Sequence, residues 1–550
     1  MRRSALCLAL LLLTTARSSS AQTASYRISG TVVGETNGQP IQRATVHILS
    51  ETDRKQVQST TSDEYGRFAF TGVPAGNFVL QGNAPGYMLT SYDDHDTFTT
   101  GIMTGAGVDT ESLVLKLHPQ GALSGTILDE SAEPVQRATV RLVRQEHSLG
   151  DSRTVSAGTT NTDDLGRFEF PRLAPGTYLL AVTATPWYAV HPQPGMQEQR
   201  AIFGVADSID PSLDVAYPTT YYPGVTDSSH ASPIVIGAGP KEINLRLSAV
   251  PALSITFPYT PPQIVPNGQP LTPMPALPQL RISVFGQVQP VNAPTQLGRV
   301  PNQGEITGLA PGDYLLSDPR QSISQVNAGT PLHLTESLAS GTLPATPELT
   351  HLHVLLKTTD GSGVPNGILV GLMHAHSHDF IARVNSVKGE AKLDVAPGDY
   401  YFSLCGGGRR CFVRQILAGD QSLPANNIHI ASTGDINFTV IFDIGTHTVK
   451  GVVQRNGKPI PGAFILLFPA EELGDIRTFI PYQSDLDGSF EFKDLAPGSY
   501  GILSIDGGWD LDWQKESVLA RYLPGAITIK VTDVPASTQI LTAPIPVQHK

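Results

Sequence analysis

Asp163-Asp-Leu-Gly-Arg-Phe-Glu-Phe170 reads as a turn that leads into a half-buried strand. An aspartate carboxylate can take up backbone amides in an Asx turn, and glycine accepts a positive φ, so the chain turns ahead of the strand. Alternation along the strand then points Phe168 and Phe170 inward and Glu169 outward. The same pattern occurs as Asp63-Glu-Tyr-Gly-Arg-Phe-Ala-Phe70 and as Asp485-Leu-Asp-Gly-Ser-Phe-Glu-Phe492. Ahead of each copy stands a related strand, Ile28-Ser-Gly-Thr-Val32, Leu123-Ser-Gly-Thr-Ile127 or Val449-Lys-Gly-Val-Val453, followed by Pro40 with Ala44, Pro134 with Ala138, or Pro459 with Ala463. The chain is therefore an internal repeat.

A second motif follows the phenylalanines and extends the count to five: Val73-Pro-Ala-Gly-Asn-Phe78, Leu173-Ala-Pro-Gly-Thr-Tyr178, Leu309-Ala-Pro-Gly-Asp-Tyr314, Val395-Ala-Pro-Gly-Asp-Tyr400 and Leu495-Ala-Pro-Gly-Ser-Tyr500. Pro-Gly suits the centre of a type II turn, so each motif is expected to be a hairpin. One domain per copy gives 22–118, 119–249 with an aromatic insert at 186–239, a Pro-rich degenerate copy at 250–350, a degenerate copy at 351–445 with a cysteine hairpin, and 446–550. The insert is expected to hang from a sandwich edge as an extended loop.

Composition agrees with this organisation. Gly 52 and Pro 44 against 16% charged residues suit many turns between short strands, and the fold class is all-β, a tandem array of about five small β-sandwiches. A net charge of -12 argues against nucleic acid or an anionic membrane as partner. Arg2 and Arg3, the apolar run from Ala5 to Leu13, and the small residues Ser19, Ser20 and Ala21 form a signal peptide, 1–21, with cleavage expected after Ala21. That run is too short to span a bilayer. The expected location is outside the cytoplasm: periplasmic, outer-membrane associated or extracellular.

Taken together, Ile28-Ser-Gly-Thr-Val32, Pro40 with Ala44, Asp63-x-x-Gly-x-Phe and the Pro-Gly-x-Tyr motif resemble carboxypeptidase regulatory-like domains. The resemblance covers the first, second and fifth copies well and the third and fourth weakly. It implies a seven-stranded Greek-key sandwich of transthyretin-like topology, grouped with carbohydrate-binding-like folds, and similar domains sit in front of outer-membrane receptors or beside peptidase domains. A shared fold does not assign a ligand.

The residues left over by the repeat carry the candidate chemistry. Trp187, Tyr188, Tyr217, Tyr221 and Tyr222 in the second copy, with Trp509 and Trp513 in the fifth, offer rings that stack on sugars or cover a sandwich edge. His374, His376 and His378 alternate, which in an extended strand puts three imidazoles on one side as a metal site requires; His351 and His353 are further candidates. The acidic runs Asp93, Asp94, Asp96 and Asp506, Asp510, Asp512 are calcium candidates without a complete loop pattern. Cys405 and Cys411, the two cysteines beyond the leader, are expected to form a disulfide in an oxidising compartment. Lys357, Asn437 and Glu390 have the residue types of an internal isopeptide bond.

The function expected is that of a non-catalytic, exported binding or structural protein of the envelope, with polysaccharide or an envelope protein as partner and no cofactor. The alternatives are an accessory protein docking to an outer-membrane receptor or peptidase system, and a metal-dependent hydrolase using the His374 to His378 loop.

Overall fold

This computed structural model describes residues 25–105, 107–191, 210–260, 277–297, 302–317, 330–339, 349–375, 380–405, 410–423, 426–431, 434–471, 476–532, 534 and 537–550. The expected leader, 1–21, lies outside them. Regular structure is almost entirely strand. Five large apolar clusters follow one another along the chain, from Ile28 to Leu117, Leu123 to Leu247, Ile255 to Leu334, Leu352 to Phe442 and Val449 to Ile545. The first four fill the space between sheets, and the fifth is enclosed by one nine-stranded sheet that Ile545–His549 makes continuous by pairing with both His447–Arg455 and Gly498–Asp506; they are termed here the first to fifth sandwiches.

One pairing rule recurs. In the first sandwich Tyr26–Gly34 lies between Leu113–Leu117, its parallel neighbour, and Arg67–Val73, its antiparallel one. Gly121–Leu128, Thr350–Thr358 and His447–Arg455 are flanked in the same way in the second, fourth and fifth. The third reduces the parallel partner to a bridge between Ile255 and Leu338.

Across the antiparallel pair, one position shows how the drifted copies keep this architecture. Gly30, Gly125 and Gly451 sit opposite Phe68, Phe168 and Phe490. A Cβ on Gly451 would lie 2.4 Å from the Phe490 ring, and one on Gly125 would lie 1.7 Å from the Ile243 carbonyl oxygen of the parallel strand. The third sandwich reverses the pair, with Phe257 opposite Gly304, and the fourth replaces it by Val354 opposite Ala391. The space is filled each time by one large and one small residue or by two of middle size, which close packing requires.

The turn chemistry behaves as the sequence predicts at Asp63 and Asp163. Asp63 Oδ1 accepts the amides of Tyr65 and Arg67 at 2.9 and 2.8 Å, and Asp163 Oδ1 those of Leu165 and Arg167 at 2.9 and 2.7 Å. Gly66, Gly166 and Gly488 have φ of 74°, 69° and 76°. The residue just before each aspartate explains the buried alanine upstream. The hydroxyls of Ser62, Thr162 and Ser484 accept the amides of Ala44, Ala138 and Ala463 at 2.9, 2.8 and 2.9 Å, and donate to the carbonyls of Ile41, Val135 and Ile460.

Two expectations about the turns are corrected. Neither motif is a hairpin: Asp151–Asn161 and Gly176–Thr183 belong to one sheet and Arg167–Leu173 between them to the other, so both motifs carry the chain from sheet to sheet. Nor is Pro-Gly a type II turn. The glycine opens the next strand, with a nearly extended φ of 158° at Gly176 and Gly498, and the left-handed residues are Gly72, Arg172, Gly308 and Asp494, just before the preceding strand ends. The register with the first strand shifts beside them, as a bulge that bends the strand off its sheet.

The tyrosine ties this corner. Tyr178, Tyr314, Tyr400 and Tyr500 donate their hydroxyls to the carbonyls of Ala174, Ala310, Ala396 and Ala496, four residues back, at 2.6, 2.6, 2.8 and 2.8 Å. The first copy has Phe78 instead, and there the Thr104 hydroxyl donates to Pro74 O at 2.7 Å. Tyr500→Phe leaves the buried Ala496 carbonyl without its donor and is expected to cost about 1 to 2 kcal/mol. Hydrogen exchange across the fifth sandwich checks this, and unchanged protection refutes it.

The described part of the insert does not hang free. Thr220–Tyr221 and Ile234–Ile236 pair with Gly176–Thr183, and Tyr217, Ile234 and Ile236 enter the second core, so these residues complete a sheet and cover its edge. Cys405 and Cys411 are bonded, with Cα atoms 5.6 Å apart. Because Gly398–Leu404 and Cys411–Ala418 lie in different sheets, the bond staples a sheet-to-sheet connection and not a hairpin.

The sandwiches do not form an open string. The fifth returns to the first: Asp485 accepts Asn77 Nδ2 at 2.9 Å and the Gly101 amide at 3.1 Å, and Gln483 Nε2 donates to Asp93 O and Thr100 Oγ1 at 2.6 and 2.8 Å. It also meets the second, where His147 Nε2 lies 3.1 Å from Asp512 and Gln514 Nε2 donates to Leu149 O at 2.8 Å. Asp96 closes the triangle by accepting the Leu149 amide at 2.9 Å.

Candidate functional site

The strand Gly176–Thr183 ends at the edge of the second sandwich, and buried Pro186 turns the chain so that Trp187 and Tyr188 follow at the surface. Trp187 is 76% exposed, the most exposed large apolar side chain among the described residues. The Tyr188 ring stands against it at 89°, centroids 5.9 Å apart, as a second wall. Beneath them is Glu130. The buried Asp129 accepts the amides of Ser131 and Glu133, each at 2.8 Å, and the resulting turn presents Glu130 to the tyrosines. Its carboxylate accepts the Tyr188 hydroxyl and, at 3.5 Å, that of Tyr217. Burial, with the Glu130 charge beside them, pushes the Tyr188 phenol up to about 12 and the Tyr217 phenol upward too. Both hydroxyls therefore stay protonated. The result is a flat exposed indole face, an orthogonal phenol and a fixed carboxylate, which suit a ligand with an apolar face and hydroxyls at its rim.

The other aromatic candidates are packed. Tyr217 and Tyr221 are buried, and Tyr221 contacts Phe285 of the third sandwich, with ring centroids 4.9 Å apart. Tyr222 packs against the second core. Trp509 is stacked by His95 of the first sandwich at 5.2 Å and 11°, with Phe98 and Phe464 at 5.3 and 5.1 Å, and donates Nε1 to Gly462 O at 3.1 Å. Trp513 is only 4% exposed and lies against Gly150, where a Cβ would come within 2.3 Å of the indole. Edge covering, not an open platform, is what these rings do in the closed chain.

Of the histidine candidates, His374 is described and meets Tyr400 edge-on at 5.9 Å; His376 and His378 lie outside the described residues. His351 lies on the opposite sheet with Asp394 at 2.6 Å from its Nδ1. Among the described residues no group of three or more His, Cys, Asp or Glu is arranged to hold a metal ion. The acidic runs are dispersed onto separate partners: Asp93 accepts Thr100 at 2.6 Å, Asp94 lies 3.1 Å from His118, Asp506 pairs with Arg455 at 2.9 Å, Asp510 with Lys550 and Asp512 with Lys515 at 2.6 Å. The isopeptide residues are not assembled. Asn437 is in register with His353 and Lys357 with Ile441, and Lys357, Asn437 and Glu390 are all exposed instead of enclosed in the core.

These core and corner motifs match a known family. A model of the carboxypeptidase regulatory-like domain matches residues 27–109 and 122–193, the first sandwich and the start of the second. Those two stretches, less than a third of the chain, are similar to carboxypeptidase regulatory-like domains. Among curated proteins, serine-aspartate repeat-containing protein C of Staphylococcus aureus (strain Newman) is 27% identical over 142 residues, 24% of this chain. The match spans 15% of that relative's length. Among solved structures, the Bacillus anthracis TIE protein aligns over 78% of this chain and 76% of its own at 12% identity and a TM-score of 0.15. A streptococcal ancillary pilin aligns over 53% and 98% at 10% identity and 0.18, and the shaft pilin SpaA of Lactobacillus rhamnosus GG over 41% and 98% at 11% identity and 0.19.

Sequence reasoning missed Glu130. Its partners Tyr188 and Tyr217 are 58 and 87 residues away, and nothing in the local turn marks it as their acceptor. It missed the second duty of Asp485 for the same reason: in Asp485-Leu-Asp-Gly, Asp487 takes the Ser489 amide at 3.0 Å, which leaves Asp485 to face the first sandwich. An aspartate two positions on, Asp487 where the other copies have Tyr65 and Leu165, is the signal that was available.

Proposed function

We propose that this is a non-catalytic, exported structural protein of the cell envelope whose second carboxypeptidase regulatory-like domain binds polysaccharide through Trp187 and Tyr188, with Glu130 accepting from sugar hydroxyls. The observation that carries the reading is the indole of Trp187, 76% exposed beside an orthogonal phenol and a held carboxylate. An exposed ring in that setting costs solvation without stabilising the fold, and stacking a pyranose on it recovers that cost. The leader-like start and the Cys405–Cys411 bond support export to an oxidising compartment. None of the described helices is long and apolar enough to cross a membrane.

The test is affinity electrophoresis of the full chain in gels carrying soluble polysaccharides, followed by calorimetry on any that retard it. The expected result is retardation by at least one polymer and a loss of about tenfold or more in affinity on Trp187→Ala, with thermal stability unchanged. Retardation that is the same in Trp187→Ala, or none by any polymer, sinks the reading.

A further inference from the structure

The hydrogen bonds along the polar edge of the aromatic site in the second sandwich run one way. Tyr188 donates its hydroxyl to one oxygen of Glu130 and Tyr217 donates to the other, so both phenol protons are spent on the carboxylate. The turn beneath spends its donors as well. Ser131 and Glu133 give their amides to the buried Asp129 side chain, and Ala132 gives its amide to the Asp129 carbonyl at 3.1 Å. Behind the rings, the Ala189 amide goes to Pro186 O at 3.2 Å and the Val190 amide to Leu213 O at 2.8 Å. The indole N–H of Trp187 lies in the plane of its ring, beside the stacking face and not over it. Glu130 therefore presents lone pairs to a ligand: an ionised carboxylate has about four acceptor sites, and the phenols leave the rest open.

We propose that the ligand of this site is a cationic polysaccharide, one bearing free, protonated amino groups that Glu130 binds while a sugar ring stacks on Trp187. The inference rests on the polysaccharide reading of the same site and narrows it to one chemical class. A sugar hydroxyl brings one proton together with two lone pairs of its own, which face the lone pairs of the carboxylate. An ammonium brings three donors, no acceptor and a positive charge, and hydrogen bonds between ionised groups are about twice as strong as neutral ones.

The charges lead to the same class. Glu130 is exposed, and among the described residues it pairs with the two phenols and with no Lys, Arg or His. The charged side chains that bear on both phenols are Glu130 and Asp129, each negative. A uronic acid would set carboxylate against carboxylate. The indole face attracts a cation as well as the apolar face of a sugar, and tryptophan does so best among the aromatic residues. Tyr188 links the two elements, with its ring 5.9 Å from the indole and its hydroxyl on the carboxylate, so a short stretch of polymer meets stacking face and charge together.

Matched oligosaccharides test this on the full chain. A β-linked glucosamine tetramer is compared by calorimetry with its N-acetylated counterpart, which has the same backbone and no charge, and with a galacturonate tetramer. The conditions are about pH 5.5, where the amines are protonated, and about 0.15 M salt, which screens charges beyond direct contact. The glucosamine oligomer is expected to bind about tenfold or more tighter than the N-acetylated one, and the galacturonate oligomer more weakly than either. Glu130→Gln is expected to abolish that preference and leave weak binding of the neutral oligomer, whereas Trp187→Ala loses both. Thermal stability is expected to be unchanged in each, because Asp129 and not Glu130 holds the turn. Attraction of a polycation to the acidic chain at large would survive Glu130→Gln, which removes one charge from a net of -12. A preference that survives it therefore overturns the proposal. Equal or tighter binding of the neutral oligomer through Trp187 also overturns it and leaves the polysaccharide reading standing, while no binding of any sugar or polymer removes both.

Discussion

Gly125→Ala is expected to unfold the second sandwich ahead of the rest of the chain. The φ at Gly125 is not in the left-handed region, so backbone conformation is not the issue; space is. The added Cβ would lie 1.7 Å from Ile243 O and 2.9 Å from the Phe168 ring, and the first of these belongs to the backbone of a paired strand. A rotamer change cannot relieve a contact with a carbonyl. Gly239–Arg246 must move off Gly121–Leu128, along which it pairs from Gly121 to Leu128 without a break. Overpacking of this kind costs about 3 kcal/mol, a large part of the stability of one small domain. Hydrogen exchange resolved by sandwich is the measurement, because a chain of several domains has no single unfolding free energy. Loss of protection in both strands is expected, and native protection in Gly239–Arg246 would show that the strand can yield.

Phe490→Ala is expected to have an effect of similar size in the fifth sandwich, with a consequence at a distance. Phe490 is 2% exposed, packs on Phe492 with centroids 5.6 Å apart, and covers the face of Gly451. No neighbour on the first strand can fill the gap, since the residue opposite is that glycine. Truncation of a buried phenylalanine costs about 3 to 5 kcal/mol. The strand Ser489–Leu495 begins just beyond Asp485, so loosening it also weakens the contact with the first sandwich, and the emission of Trp509 and Trp513 is expected to shift to the red. A stable fifth sandwich with unshifted emission would contradict both parts of the expectation. The third sandwich offers a control: there the ring sits on the first strand as Phe257 and the glycine opposite is Gly304, so the same logic predicts that Phe257→Ala destabilises that sandwich without shifting the emission of Trp509 and Trp513.

Much of the fold was legible because its signals are local. Alternation in Phe168-Glu-Phe170 and in its two counterparts declared the buried face correctly, and Asp63 and Asp163 hold the amides two and four residues ahead. What went wrong was also local in origin. Pro-Gly was assigned a turn type from its own preferences, but the bend had been made already by the left-handed residue two or three positions earlier, and a tyrosine hydroxyl fastens it. The motifs looked like hairpins because a turn between two strands does not state which sheet each strand joins. The aromatic candidates divided for a similar reason. Trp187 and Trp513 are the same residue type, each just beyond the strand that follows Pro-Gly, and only their neighbours make one 76% exposed and the other 4%.

The amino-acid sequence alone determined that the chain is a repeat of β-sandwich units, which faces are buried, where the glycines and aspartates turn the backbone, and that Cys405 and Cys411 are near enough to bond. Such properties depend on residues a few positions apart, and a chain samples those contacts whatever the rest of it does. The tertiary structure decided the rest. It set Glu130 under Tyr188, turned the Asp485 carboxylate out of its own turn toward Asn77, 408 residues away in the chain, and folded the fifth sandwich back over the first and second. Those pairings arise from the summed directions of every bend between them, so no stretch of sequence short enough to be recognised as a motif contains them.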